Sequence, residues 1–184
     1  MCVKLVEGGN TNTGQPFMVG LREPYGYIFM PFRALRGNMS HTYYKIWIHV
    51  VWGTKNRQPL MAKQVRNEIF QHIEKKAKDE GYRLDAINGV ADHIHCLISL
   101  QPKHSISEVV NKLKGESSHW INHERIIPGR FVWQGGFAAF SVGESQVDRV
   151  RAYIRNQEKH HQRMSFEFEV QQFLKLYDAT SERA

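Results

Sequence analysis

From residue 40 onward the spacing of apolar residues switches between two periods in a fixed order. That order restricts the fold more than any other property of the chain. Residues 43–52 alternate, with Tyr44, Ile46, Ile48, Val50 and Trp52 on one face and Lys45 and His49 on the other. Val65, Ile69, Ile73 and Ala77 then recur at helical spacing over residues 63–80, and Gly81 stops them. Residues 82–90 and 93–100 read as two further strands, with Gly89 as a turn or bulge between them and Pro102 closing the second. Ser105-Ile106-Ser107-Glu108 has capping-box spacing, and the helix behind it runs to about His123 with Val109, Val110, Leu113, Trp120 and Ile121 inward. Residues 131–134 and 137–142 read as one strand interrupted by Gly135-Gly136. Ser145-Gln146-Val147-Asp148 is a second capping-box-like start, opening a helix to about His161 with Val147, Val150 and Ile154 buried. Ser165 caps a last helix that packs Phe166, Val170, Phe173, Leu174 and Tyr177 inward.

Strand, helix, strand, strand, helix, strand, then helices is an α+β order. It predicts a ferredoxin-like βαββαβ core, an antiparallel sheet with helices on one face, plus C-terminal helices. The third strand is expected to be central. Residues 1–38 differ: they are polar or aperiodic and broken by Gly20, Pro24, Gly26, Pro31 and Gly37. They read as a poorly structured extension, translated from an upstream start, with Met39 opening the working domain. The competing reading is an arm that adds DNA contacts through Arg33 and Arg36. The expected organisation is 1–38 extension, 39–178 domain and 179–184 tail.

The chemistry centres on Asp92-His93-Ile94-His95-Cys96 in the third strand. Side chains alternate across a strand, so His93 and His95 share one face while Asp92, Ile94 and Cys96 point to the other. Two imidazoles side by side on a rigid strand are the beginning of a metal site. With 10 histidines in the chain one such pair is weak evidence alone, and a third ligand and a reactive group are required. A net charge of +7 favours a polyanionic partner, nucleic acid or an anionic membrane surface. Cys2 and Cys96 make neither a metal spacing nor a disulfide framework, which suits a reducing, cytoplasmic setting. No apolar run is long enough to span a membrane.

Tyr153 and Gln157, four apart on the helix 146–161, lie one turn above each other at the edge of the apolar stripe. Arg149, Arg151, Arg155 and Lys159 surround them, a cationic setting that eases ionisation of a tyrosine. A tyrosine oxygen can attack a DNA phosphate and hold it as an ester, conserving the bond energy for later rejoining. Two imidazoles and the Gln157 amide oxygen would hold a divalent ion, Mg²⁺ or Mn²⁺, with positions open for phosphate oxygens. His160 and His161 are alternative third ligands, with His161 nearer the Ile154 line and expected half-buried.

These pieces resemble the HUH transposases with a single catalytic tyrosine, which move insertion sequences as single-stranded DNA, and the related REP-associated tyrosine transposases. The matching segments are Val51-Trp52-Gly53-Thr54-Lys55-Asn56-Arg57, Asp92-His93-Ile94-His95, Trp133-Gln134-Gly135-Gly136-Phe137, and Tyr153-Ile154-Arg155-Asn156-Gln157 with His160-His161. They follow the family's order over about residues 40–177. The resemblance implies a nucleophile at Tyr153 and a metal at His93, His95 and Gln157. It implies single-stranded DNA cut and rejoined near hairpins formed by imperfect palindromes, by a homodimer. Charge and position add Lys55, Arg57, Lys112, Lys114, Arg151 and Arg155 as candidate phosphate contacts.

Other classes make different predictions. A REP-associated or replication-type nicking enzyme shares the chemistry. A non-enzymatic ferredoxin-like nucleic-acid binder would be indifferent to metal and to Tyr153→Phe, and the sheet lacks an obvious pair of aromatic-rich RNA-recognition motifs. A small-molecule metal hydrolase would survive Tyr153→Phe and form no DNA adduct.

Overall fold

The computed structural model describes residues 18–23, 26–31, 43–161 and 166–177. Residues 1–43 and 44–184 are two compact units. In the first, β1 (Met18–Glu23) pairs antiparallel with β2 (Gly26–Pro31), from Met18 opposite Pro31 to Glu23 opposite Gly26. Pairing therefore exists where no strand period was expected. Two residues separate the strands, the length a tight hairpin favours. Arg33, Arg36 and Met39 lie outside the described residues.

The second unit holds a four-stranded antiparallel sheet in the order β4-β5-β3-β6. Its strands are β3 (Trp47–Gly53), β4 (Arg83–Gly89), β5 (His93–Ser99) and β6 (Ala138–Val142). The histidine strand β5 is central, as its place in the order predicts. Helices α1 (Lys63–Asp79) and α2 (Ile106–His123) follow β3 and β5. Ile69, Ile73 and Ala77 of α1 and Val109, Val110, Leu113 and Ile121 of α2 pack with Ile48, Val50 and Trp52 of β3 and Ile94, Cys96 and Ile98 of β5. The capping box is real: Ser105 Oγ accepts from the Glu108 amide at 3.1 Å.

The opposite face carries a smaller cluster. Trp47, Leu97, Ala86 and Val142 meet Val147 and Ile154 of α3 (Val147–Arg155). Arg151 of α3 reaches Asp85, the residue at the register shift in β4, at 2.6 Å. The elements α4 (Gln157–His161) and α5 (Phe166–Tyr177) complete the unit. No helix among the described residues is long and apolar enough to cross a membrane.

Four local expectations need correction. The first strand starts at Trp47, leaving Tyr44 and Ile46 outside it at 46% and 38% exposure. Ser145 is not a cap: it sits inside a short 3-10 turn, Glu144–Gln146, entered from Gly143 without a side-chain bond. The helix 146–161 breaks at Asn156 (φ −100°, ψ 17°), whose side-chain amide donates to the Ala152 carbonyl at 2.8 Å and competes with the helix ladder. In α5, Leu174 is exposed while Glu169 is buried. Five residues turn a helix by about 140° beyond a full circle, so the two cannot share a face.

Candidate metal and tyrosine site

His93 and His95 are both fully buried on the sheet face that also carries His49. Each has its outer nitrogen fixed. His93 Nδ1 lies 2.7 Å from Asp92 Oδ1, and His95 Nδ1 lies 3.0 Å from His49 Nε2. Asp92 is held in turn by Arg57 at 2.6 Å. Arg57 belongs to a tight turn in which Asn56 and Arg57 both take positive φ, 55° and 58°. Segment 132–134 pins that turn. The Lys55 amide donates to the Val132 carbonyl at 2.9 Å, the Gln134 amide to Gly53 at 2.8 Å, and the Asn56 amide to Gln134 Oε1 at 3.0 Å. Two distant sequence segments thereby set the orientation of one imidazole.

With the outer nitrogens engaged, the inner ones converge. His93 Nε2 lies 2.9 Å from His161 Nε2. Glu169 Oε2 lies 3.7 Å from His93 Nε2, 3.6 Å from His95 Nε2 and 3.2 Å from His161 Nε2. These four donors all fall within 4.8 Å of one another, a set able to hold a metal ion. The fit is chemical as well as geometric. His95 Nε2 and both Glu169 carboxylate oxygens are buried yet make no hydrogen bond among the described residues. Burial drives His49 down to about 4, and burial reinforced by neighbouring imidazoles holds His95 well below the usual range. Neutral imidazoles keep the lone pairs that a cation needs. Burial opposes ionisation of Asp92, but its hydrogen bond to His93 and the neighbouring Arg57 guanidinium keep it low. Burial, with the Asp92 charge, raises Glu169 to about 8.

Tyr153 borders this group from α3. Its ring stands edge-on to His95 and His49, with centroids 5.9 and 6.0 Å away, and 5.0 Å from His160. Gln157 is fully buried, and its amide oxygen and nitrogen make no hydrogen bond among the described residues. What holds α4 in place is visible. Lys63 and Arg66 of α1 approach Glu158 at 3.1 and 3.6 Å, and Asn88 donates to the Arg155 carbonyl at 2.9 Å.

Residues 42–157 match the family of IS200-like transposases, and this span contains the histidine pair and the tyrosine. The chain belongs to that family. It is 22% identical over 136 residues to the ISDra2 transposase TnpA of Deinococcus radiodurans, covering 71% of this chain and 96% of that one. It is 26% identical over 126 residues to the transposase of insertion sequence IS200 from Salmonella typhimurium, covering 65% and 82%. A solved Deinococcus radiodurans protein described as a transposase superposes with a TM-score of 0.50 at 25% identity, over 63% of this chain and 93% of that one. A REP-associated tyrosine transposase, solved bound to a REP hairpin, shares the fold with a TM-score of 0.51 at 16% identity, over 68% and 74%.

Within this IS200-like transposase the sequence candidates fall into two groups. His93 and His95 of β5 and Tyr153 of α3 lie together, Gln157 is buried on α4, and His161 is half-buried as expected. The cationic setting expected around Tyr153 is largely imidazole instead, because Arg151 is engaged by Asp85 and Asp148. Of the proposed phosphate contacts, Lys55, Lys112 and Arg155 are exposed, with Lys112 3.4 Å from Glu80. Arg57 is committed to Asp92. Lys114 is buried, and its ammonium donates to the Gln134 and Gly136 carbonyls at 2.8 and 2.6 Å. Sequence reasoning missed Glu169 and the bracing role of His49. The signal for Glu169 was its place three residues after Phe166 and four before Phe173, a carboxylate on an apolar line.

Proposed function

We propose that this IS200-like transposase cleaves and rejoins single-stranded DNA through Tyr153, with a divalent ion, Mg²⁺ or Mn²⁺, held by His93, His95 and Gln157. The carrying observation is that α3 sets Tyr153 beside a buried imidazole pair whose inner nitrogens converge on one point. The Tyr153 oxygen attacks the scissile phosphorus and gives up its proton. The phosphorus–O3′ bond breaks, and the departing 3′ oxygen takes up a proton. The product is a 5′-phosphotyrosine and a free 3′-hydroxyl, and the reverse attack rejoins a strand without an external energy source. The bound ion would polarise the phosphate and orient it. Asp92, Arg57 and His49 keep the two imidazoles in their tautomers and directions. Lys55 and Arg155 meet phosphates, and hairpins at the element ends are the recognised form, acted on by a homodimer. The hairpin-bound relative of the same fold supports the hairpin part of that reading.

The test is incubation with Mg²⁺ or Mn²⁺ and labelled single-stranded DNA carrying the palindromes that flank the element. A covalent protein–DNA band on a denaturing gel is expected, absent in Tyr153→Phe, in His93→Ala and in EDTA. Metal-dependent cleavage without an adduct would remove Tyr153 as nucleophile.

A further inference from the structure

We propose that His161 and Glu169 are also ligands of that ion, so that three imidazoles and a carboxylate stand around it beside the Gln157 amide. The inference rests on the metal half of the proposed function and concerns residues beyond the expected trio. Adjacent donors around one ion at about 2.1 Å lie about 3.0–3.4 Å apart. The His93–His161 and His161–Glu169 separations of 2.9 and 3.2 Å are of that size, and the His93 and His95 distances to Glu169 are 3.7 and 3.6 Å.

The second argument is polarity. Here His95 Nε2 and both Glu169 side-chain oxygens are buried and make no hydrogen bond among the described residues, with Nε2 of His93 and of His161 beside them. Buried polar atoms left without hydrogen bonds are costly, and a cation among them removes the cost. The outer nitrogens of His93 and His95 are occupied by Asp92 and His49, so their inner nitrogens are aimed at this point by fixed partners. His161 follows Gln157 by four residues on α4, one turn along the same side. Glu169 arrives from α5, outside the span that matches the family.

Three imidazoles and one carboxylate form a donor set for Mn²⁺, Co²⁺ or Zn²⁺, whereas Mg²⁺ prefers oxygen ligands and retains water. The centre therefore selects Mn²⁺-class ions over Mg²⁺. The experiment is titration of the metal-free full chain with Mn²⁺, followed calorimetrically, and with Co²⁺, followed by its visible absorption. Wild type is compared with Glu169→Gln, His161→Gln and His93→Ala, each checked for native circular dichroism. Glu169→Gln keeps the side-chain volume, so it tests the charge without opening a cavity. The expected result is at least a tenfold loss of Mn²⁺ affinity in both Gln variants, with altered Co²⁺ spectra. If both variants match wild type while His93→Ala binds no ion, the inference falls and the proposed function stands. If His93→Ala also binds like wild type, no ion sits at the pair and both fall.

Discussion

The histidine face should make the metal-free protein sensitive to mild acid, and the size of the effect follows from one buried pair. His49 is 2% exposed and its pKa falls from the usual 6.5 to about 4 because burial penalises the charged ring. Between those values the unfolded chain takes up a proton that the folded chain refuses. The associated stability is therefore complete above pH 6.5 and drains away as pH falls toward 4. At about 1.4 kcal/mol per tenfold change in proton affinity, the loss should reach about 2–3 kcal/mol by pH 4.5. That is a large part of the ~5–15 kcal/mol that holds a domain together. The assay is urea unfolding by tryptophan fluorescence in EDTA at pH 7.5, 6.5, 5.5 and 4.5, comparing wild type with His49→Gln. Glu169, raised to about 8, contributes stability below pH 4.5 that is lost as pH rises through 8. It is present in both chains and largely cancels in the difference. His49 and His95 share a hydrogen bond, so the difference belongs to the pair. Wild type should lose about 2–3 kcal/mol more than the variant over this range. Parallel curves would show that His49 titrates like an exposed ring, and the burial argument would fail.

Four further outcomes are expected. Ile154→Ala, at a fully buried position between α3 and the sheet, should cost about 2–5 kcal/mol in urea unfolding. A Cβ on Gly89 would stand 2.2 Å from the His93 carbonyl oxygen and 2.8 Å from Ile94 Cα, so Gly89→Ala must displace the start of β5. It should lower both the melting temperature and Mn²⁺ affinity in calorimetry, and loss of stability with unchanged affinity would count against the close-approach reasoning. Lys55→Ala should weaken single-stranded DNA binding and flatten its salt dependence by about 0.7 in log–log slope. Lys114→Met should destabilise the 134–136 turn while leaving that slope unchanged, as fluorescence anisotropy at several salt concentrations would show.

The order of strands and helices was legible because most of them announce themselves by period. The alternation around Ile48, Val50 and Trp52 and the helical spacing of Ile69, Ile73 and Ala77 survive in the structure as buried faces. What was not legible is what tertiary contacts decide. The break at Asn156 depends on a side-chain amide outcompeting the ladder, which spacing cannot reveal. Lys114 looked like a surface cation because its partners, the carbonyls of Gln134 and Gly136, are 20 and 22 residues away. His93 and His95 were visible as a pair from strand alternation alone. Their neighbours were not: His49 reaches His95 across 46 residues, and Glu169 sits on a line that its own sequence presents as apolar.

The unequal clothing of the two sheet faces has a mechanical consequence. One face is welded to α1 and α2 through a broad layer of aliphatic and aromatic side chains. The other carries α3, a nine-residue helix that sinks only Val147 and Ile154 fully among the described residues, beside His161 of α4 and Glu169 of α5 at the histidines. Free energies of local opening scale with the apolar contact that must be broken. α3 is thus held by less apolar contact than α1 and α2 are, and the layer beneath them gives β3 and β5, and with them the imidazoles, a rigid floor.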